Sequence, residues 1–321
     1  MNPHLWKRTM AIAIFAAGAP ASGNGLVTES QLLALAMAEK TVALALADTA
    51  DAFDTPIIFM TDGTGTGSLV QRHRQLLMGW GMSMDATAAE DTDVAASSVT
   101  AYFADVTIAR RALRIDETGL ARAVGTSFGF DPIALGLNLA GSFRAGRMGM
   151  LGTAVAAAST NITSSGTGSI DDLYDTLDSF TADIGDPGQL FGVFKPATLS
   201  SIRDSMRSEV GPQKERPDVQ AFLAKGAEMI LGMLLMPTTK ITTNAGKYEN
   251  AVMTAGALAY SIAMPQQALG GNVIIAQPTD LPLIIELERD ASKDSYQIVA
   301  NGYDGIAVRE QKRIRGVLCS T

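Results

Sequence analysis

The chain has very few of the residues that bind metals, form disulfides or act as general bases. Its 321 residues include one cysteine, Cys319, and two histidines, His4 and His73. A single cysteine excludes a disulfide framework within the chain and fits a reducing compartment. Two histidines exclude a histidine-rich metal site and leave a serine–histidine–aspartate triad one plausible base. We therefore predict no catalytic residue, no metal and no cofactor.

Aromatic residues and positive charge are also scarce. Aromatic residues make up 6% of the chain and hydrophobic residues 47%, with 31 glycines and 15 methionines, which favours close packing of small side chains. A net charge of −8 argues against a nucleic-acid-binding domain, because a basic face supplies the affinity of such domains. The length suits one large domain or two ordinary ones.

The segment from Ile170 to Met206 has the clearest local pattern. Apolar residues recur at helical spacing up to Phe180, and Asp171 and Asp172 suit a helix N-terminus. The apolar run 190–194 is bounded by turn residues and predicts a buried strand. Pro196 then starts a second helix. The four aspartates of the first helix could imitate a metal site, but a solvated helix face is the simpler interpretation: Asp171, Asp172, Asp175 and Asp178.

This order of elements, and the run FGVFKPATLSSIRDSM, resembles the apical domain of tailed-phage major capsid proteins, the Hong Kong 97-like fold. In that family an acidic helix leads to a strand that ends near a proline, and a helix follows. The runs ILGMLLMP and TAGALAY come later in the family's order, and Arg315-Gly316-Val317 fits its closing motif. The resemblance covers roughly 55–321 and rests on element order and short motifs.

The resemblance implies an α+β chain with four parts. They are an N-terminal arm with a helix at 1–55, an extended β-hairpin loop at 56–98, a peripheral domain with a long spine helix at 99–168 and 272–321, and an apical α/β domain at 169–271.

Two segments of the N-terminal part, 28–52 and 1–22, each allow two interpretations. Residues 28–52 predict a helix, which is either a core helix or, as the resemblance favours, an arm helix lying against a neighbouring subunit. Residues 1–22 have the basic start and short apolar stretch of a secretory signal, but we favour a structured arm. The apolar stretch is too short to span a membrane, and we predict no membrane partner.

Residues 56–98 read as a strand, a glycine-rich turn, a second strand segment and an acidic, alanine-rich run. A long segment of this kind counts against a simple globular interpretation. The resemblance implies that it lies over neighbouring subunits. Candidate contacts between subunits are Arg72, His73, Arg74 and Trp80, together with Leu32 and Leu35 of the arm helix. The flanking arginines would lower the basicity of His73.

The turn DGTGTGSL has an alternative interpretation as a phosphate cradle, because closely spaced glycines expose backbone N–H groups. It lacks the Gly-Lys-Ser/Thr of a P-loop, and no lysine occurs from 41 to 194, so a flexible turn is favoured. Some members of the resembled family cross-link a loop lysine to a neighbour's asparagine. Without a lysine in 58–98, the resemblance implies a shell held by noncovalent contacts.

Strands and one long helix are predicted for the remaining parts. Residues 99–115 alternate as a strand, and Asp131-Pro132 starts a helix to about Ala158, the position of the family's spine helix. Its five glycines indicate tight packing, a bend or a break. The C-terminal strands are predicted at 272–276, 283–289, 295–301 and 305–317, with an aromatic-glycine turn at Tyr303–Gly305. A basic cluster is a candidate face for packaged DNA or an acidic neighbour: Arg309, Lys312, Arg313 and Arg315.

The function implied by the resemblance is self-assembly into hexamers and pentamers that close an icosahedral shell around phage DNA. The implied partners are other copies of the chain, packaged double-stranded DNA, and scaffolding, portal or decoration proteins. The implied location is the virion capsid, assembled in the cytoplasm of the host bacterium. Two alternatives remain: an encapsulin-type nanocompartment shell, which shares the fold, and a secreted binding protein with a signal peptide at 1–22.

Overall fold

The computed structural model describes residues 13–16, 37–38, 40–45, 53, 55–75, 102–118, 132–156, 168–184, 188–208, 220, 229–263, 273–277, 283–290, 292 and 295–320. The acidic, alanine-rich run at 85–98 lies outside these residues. In the described part, two β-sheets, a two-stranded ribbon and three long helices form an α+β chain.

The longest helix confirms the predicted spine helix. Helix α1 spans Pro132–Ala156 without a break through all five of its glycines. At two of these positions, a close neighbour leaves no room for a side chain, which explains why glycine occurs there despite its low helix propensity. A Cβ on Gly136 would lie 2.6 Å from Cβ of Thr41, and a Cβ on Gly152 would collide with the carbonyl oxygen of Lys240. The helix is therefore packed tightly at both ends, as the glycine pattern indicates.

Two further helices flank the predicted buried strand. Helix α2 spans Ile170–Ile184 and helix α3 spans Pro196–Ser208. The N-terminus of α2 has a reciprocal cap, in which the backbone N–H of Ser169 donates to Asp172 Oδ2 at 2.6 Å and the N–H of Asp172 faces Ser169 Oγ at 3.4 Å. Pro196 is the first residue of α3, where its missing N–H has no cost. These predictions are confirmed.

The larger sheet has seven strands. In sheet order they are β1, β12, β13, β14, β11 and β2, and β5 also pairs with β14. Their bounds are Ala13–Ala16 (β1), Ile58–Asp62 (β2), Ala109–Thr118 (β5), Leu258–Ile262 (β11), Val273–Gln277 (β12), Leu283–Asp290 (β13) and Ser295–Val308 (β14). Strands β2 and β11 pair in parallel, and the other pairs are antiparallel. The pairing of β1 with β12 places residues 13–16 in this sheet.

Strand β14 corrects the predicted turn at Tyr303–Gly305. The strand continues through these residues, pairing with β13 and β5 in its first part and with β11 in its last five residues. Gly305 is needed for a close approach and not for a turn, because a Cβ there would collide with the carbonyl oxygen of Thr107. The chain reverses later, at a short 3-10 helix spanning Gln311–Arg313.

The smaller sheet has the order β15, β10, β6, β8 and β7, with β9 also paired to β10. The bounds are Leu190–Phe194 (β6), Met229–Ile230 (β7), Met233–Pro237 (β8), Thr243–Asn244 (β9), Lys247–Met253 (β10) and Ile314–Ser320 (β15). All five residues of β6 are buried, because Leu190 and Phe194 face the cluster under α2 and α3 while Phe191 and Val193 face the central core. The predicted buried strand is confirmed.

Two strands cross the predicted division into peripheral and apical segments. Strand β15 was assigned to the peripheral segment 272–321 but pairs with β10 in the smaller sheet. Strand β11 was assigned to the apical segment 169–271 but pairs with β14 and β2 in the larger sheet. The chain therefore passes between the sheets twice, once after β10 and once after β14. Both passages lie side by side, since the N–H of Thr254 donates to the carbonyl of Arg313 at 3.0 Å.

The described part of the N-terminal helix packs on its own chain. Residues 37–38 and 40–45 are helical, and Ala38 and Val42 are fully buried against Leu135 and Leu139 of α1. This contact matches the core-helix interpretation for these residues, because the apolar side meets the spine helix of the same subunit. No helix in the described ranges is long and apolar enough to cross a membrane.

Candidate assembly site

A two-stranded ribbon forms the base of the predicted extended loop. Strand β3 spans Val70–Gln75 and pairs antiparallel with β4, Tyr102–Thr107. The ribbon has two unlike faces. His73, Ala104 and Val106 are buried, whereas Val70 and Phe103 are exposed, Phe103 by 52%. One face therefore packs against the rest of the chain, and the other face is exposed.

The exposed face of the ribbon carries a charge pair beside an aromatic ring. Arg72 donates from Nε to Asp105 Oδ1 at 2.9 Å and from Nη2 to Asp105 Oδ2 at 3.2 Å, and its guanidinium lies 5.5 Å from the Phe103 ring centroid. The hydrogen bond from Arg72 lowers the pKa of Asp105. Both side chains are well exposed, so this pair adds little to the stability of the subunit.

The inner face of the ribbon holds a polar cluster that the sequence did not predict. His73 Nε2 lies 2.9 Å from Ser261 Oγ and 3.2 Å from Thr61 Oγ1, and the two hydroxyl oxygens are 3.0 Å apart. These residues come from β3, β11 and β2. Burial lowers the pKa of His73, and the positive charge of Arg309 lowers it further. The direction agrees with the prediction, but the charge responsible is Arg309, whereas Arg72 is paired with Asp105.

The serine–histidine pair is not arranged for nucleophilic catalysis. Ser261 is fully buried, so a substrate carbonyl cannot reach its hydroxyl. The third side chain of the cluster is the hydroxyl of Thr61, which cannot stabilise an imidazolium as a carboxylate does. The described residues contain no group of three or more histidine, cysteine, aspartate or glutamate side chains that could hold a metal ion.

The glycine-rich turn between β2 and β3 is not a phosphate cradle. Two of its N–H groups already have partners: that of Gly63 donates to the carbonyl of Ile262 at 2.7 Å, and that of Thr64 donates to Asp62 Oδ1 at 2.8 Å. The Thr64 hydroxyl also bonds the Asp62 carboxylate. This carboxylate at the start of the turn would repel an anion. The flexible-turn interpretation fits, and Gly65 and Gly67 supply the positive φ angles it needs.

The predicted basic cluster is divided among different environments. The Arg309 guanidinium lies 4.4 Å from the Phe59 ring centroid, and Arg313 donates to Glu310 Oε2 at 2.7 Å. Lys312 is exposed at the 3-10 helix. Arg315 is only 3% exposed and lies over the Phe180 ring at 4.8 Å, so it does not belong to a solvent-facing basic face. Its position on β15 explains the difference, because α2 covers that strand.

Three of the predicted contact residues lie outside the described part of the chain: Leu32, Leu35 and Trp80. The backbone of Arg74 belongs to β3, but its side chain is also outside the description. Their part in contacts between subunits stays a prediction. His73 lies inside the subunit, where it joins three strands.

A groove of about 370 Å³ runs between the spine helix and the larger sheet. Phe143 and Gly146 of α1 form one wall and Leu113, Ala300 and Gly302 form the other. At one end, Arg111 pairs with Asp304, donates to the Gly146 carbonyl at 3.3 Å and has its pKa lowered chiefly by burial. This second cluster, also missed from the sequence, connects the sheet to the spine helix.

Comparison with solved structures finds the same architecture in viral and cellular shells. The chain is similar to a capsid protein of cyanophage P-SCSP1u, with 10% identity over 85% of this chain and 89% of that one and a TM-score of 0.58. It is similar to the mature capsid of bacteriophage PhiM1, with 11% identity, coverage of 84% and 87%, and a TM-score of 0.56.

A cellular shell protein gives a similar match. The SrpI encapsulin from Synechococcus elongatus has 12% identity over 94% of this chain and 91% of that one, with a TM-score of 0.52. No family model matches the sequence, and no curated protein matches it. The likeness therefore lies in the backbone and not in the amino acids. This chain has the Hong Kong 97-like fold of tailed-phage capsid proteins.

Proposed function

We propose that the chain is a major capsid protein that assembles with copies of itself into a closed shell around phage DNA. The observation that carries this proposal is that the likeness to capsid structures extends over more than four fifths of both chains. The proposed role is structural and requires no catalytic residue. Symmetric repetition of the same contacts between copies can close a shell.

The surface of the subunit supports this role. Large contiguous apolar patches on a protein surface mark contacts with other molecules. Here Val70 and Phe103 are exposed on the ribbon and Ile133 and Leu137 on the spine helix. Contacts between copies would bury these side chains. We further propose that scaffolding, portal or decoration proteins take part, and that assembly occurs in the cytoplasm of a host bacterium.

A nanocompartment shell is the second candidate, favoured by the match to an encapsulin over almost the full length of both chains. The two candidates differ in content, because a virus encloses DNA and a compartment encloses protein cargo. The extended loop and N-terminal arm implied by the sequence favour the virus.

The test is negative-stain electron microscopy of the purified protein, combined with analytical sedimentation and nuclease-protection analysis of the contents. We expect closed shells of uniform size, or hexamer and pentamer rings, and nuclease-resistant DNA in particles from infected cells. Shells that contain a folded protein and no DNA would select the compartment. A monodisperse monomer or dimer under all assembly conditions would reject both candidates.

A further inference from the structure

His73 forms side-chain hydrogen bonds between the ribbon of β3 and β4 and the larger sheet. Its Nε2 is the single ring atom within reach of both Ser261 Oγ and Thr61 Oγ1. These hydroxyls belong to β11 and β2, so one imidazole nitrogen joins the ribbon to two sheet strands. A neutral imidazole can accept a hydrogen bond at Nε2, whereas an imidazolium can only donate there.

The surroundings of His73 disfavour a positive charge. The residue is 5% exposed, and the Phe59 ring stands edge-on to the imidazole at 6.0 Å between centroids. The Arg309 guanidinium lies on the same Phe59 ring at 4.4 Å. Protonation would therefore place a second cation in a buried site that already has one nearby, at a cost both in desolvation and in repulsion.

The carboxylates on the neighbouring strands are already bonded elsewhere. Asp62 of β2 accepts hydrogen bonds from Thr64, and Asp105 of β4 is paired with Arg72 of β3. Asp304 of β14 pairs with Arg111 and accepts from Tyr260 of β11 at 2.7 Å. The half-buried Tyr303 of β14, and Arg309 just after that strand, are the other titratable or charged groups described on the strands packed around His73.

We propose that His73 is an acid-sensitive latch, which holds the base of the β3–β4 ribbon on the larger sheet when its imidazole is neutral and releases the ribbon when the imidazole is protonated. This inference concerns the subunit itself and does not depend on the proposed shell. In this proposal, protonation of His73 controls the attachment of the ribbon that leads into the extended loop.

The direction of the pH response follows from linkage. The attached ribbon holds the pKa of His73 below its ordinary value of 6.5, whereas release into water restores that value. The released state therefore binds more protons at acidic pH, and attachment is fully present above about pH 6.5 and weakens as the pH falls through it. Because one proton is bound on release, the ratio of released to attached ribbon rises by up to about tenfold for each pH unit below about 6.5, until the pKa of His73 in the attached state is reached.

Hydrogen–deuterium exchange with mass spectrometry tests the latch in the full chain, in its native oligomeric state. Exchange of peptides from β3 and β4 is measured between pH 5 and 8 after correction for the intrinsic rate, with β6 as an internal reference. We expect ribbon exchange in the wild type to rise up to about tenfold per pH unit below pH 6.5 relative to β6. The variant His73→Gln keeps a hydrogen-bonding group without a titrating one, and its ribbon exchange should not depend on pH.

The only other histidine provides the matched control. His4→Gln should reproduce the wild-type response, because it removes the same titrating group from a different place. An identical pH response in wild type and His73→Gln would overturn the proposal, as would a wild-type ribbon whose exchange does not change with pH.

A second pair of variants tests the role of Arg309 without altering the histidine. Arg309→Gln removes the repelling charge, raises the pKa of His73 in the attached state and should reduce the total acid-induced rise in ribbon exchange. Arg72→Gln removes a neighbouring arginine that is paired with Asp105 on the outer face, and it should leave the response unchanged. A reduced acid response in Arg72→Gln together with an unchanged response in Arg309→Gln would contradict the proposed geometry.

Discussion

Asp304 and Asp105 each pair with one arginine, but in very different surroundings. Asp304 is 1% exposed, pairs with Arg111 and accepts the Tyr260 hydroxyl, whereas the pair of Asp105 and Arg72 is on the surface. Water screens the attraction between Asp105 and Arg72, and it solvates the remaining charge when one partner is removed. Removing the Asp304 charge leaves Arg111 partly buried without its partner. The same chemical pair therefore has different consequences at the two places.

We predict that Asp304→Asn lowers the free energy of unfolding by about 3 kcal/mol, because breaking a buried pair leaves an uncompensated charge. Asp105→Asn is the matched control and should change stability little. Urea denaturation followed by circular dichroism measures both variants. Equal losses in the two variants would show that Asp304 does not hold the spine helix to the sheet as described.

Among the elements, the spine helix contains glycines that lower its helix propensity, and only some of them are required for packing. Gly149 and Gly152 lie one turn apart on α1, and both lower its helix propensity. A Cβ on Gly149 would meet no atom within 4 Å, whereas a Cβ on Gly152 would collide with the backbone carbonyl of Lys240. The loop after β8 therefore lies against the helix only because residue 152 has no side chain.

We predict opposite effects of the same substitution at these two sites. Gly149→Ala should stabilise the chain by about 0.5–1 kcal/mol, because alanine is the better helix former and restricts the unfolded chain. Gly152→Ala should destabilise it by about 1–3 kcal/mol, since a backbone atom must move. Thermal unfolding monitored by calorimetry gives the comparison. A stabilised Gly152→Ala variant would mean that the loop does not approach the helix.

At the scale of the whole molecule, the subunit leaves apolar surface that its own fold does not cover. Ile133 and Leu137 lie one turn apart on the spine helix, and each is 53% exposed. The same helix buries Leu135 and Leu139 against the N-terminal helical segment. One side of the helix thus completes the core, and the opposite side exposes these two apolar side chains.

We predict that the double variant Ile133→Ser/Leu137→Ser folds normally but assembles poorly. Burial of each half-exposed side chain contributes about 1 kcal/mol, so the concentration needed for assembly should rise at least about tenfold. Sedimentation velocity measures assembly, and circular dichroism checks folding. The control is Asn138→Ser, an exposed position of the same helix outside the side that carries Ile133 and Leu137, which should assemble as the wild type does. Unchanged assembly of the double variant would exclude this surface from the contacts.

The sequence by itself determined the local elements of this protein. The spacing of apolar residues predicted α2 and α3, and a bounded apolar run predicted β6, because these elements leave a pattern within a few residues. The start of α1 was predicted from Asp131-Pro132. The resemblance then gave the fold, because the order of these elements agrees with that of capsid subunits. The acidic helix cap and the start of α3 at Pro196 also follow from neighbouring residues alone.

Only the tertiary structure decided how distant segments meet. An apolar strand such as β15 or β11 carries no mark of the sheet it joins, so the sequence did not predict that β15 pairs with β10 and β11 with β14. Arg315 does not belong to the predicted basic face, because helix α2 covers its strand, β15. His73 and Ser261 are 188 residues apart, and no local pattern connects them. Their contact, and the lowered pKa of His73 that comes with it, exist because folding brings three strands together and excludes water from the place where they meet.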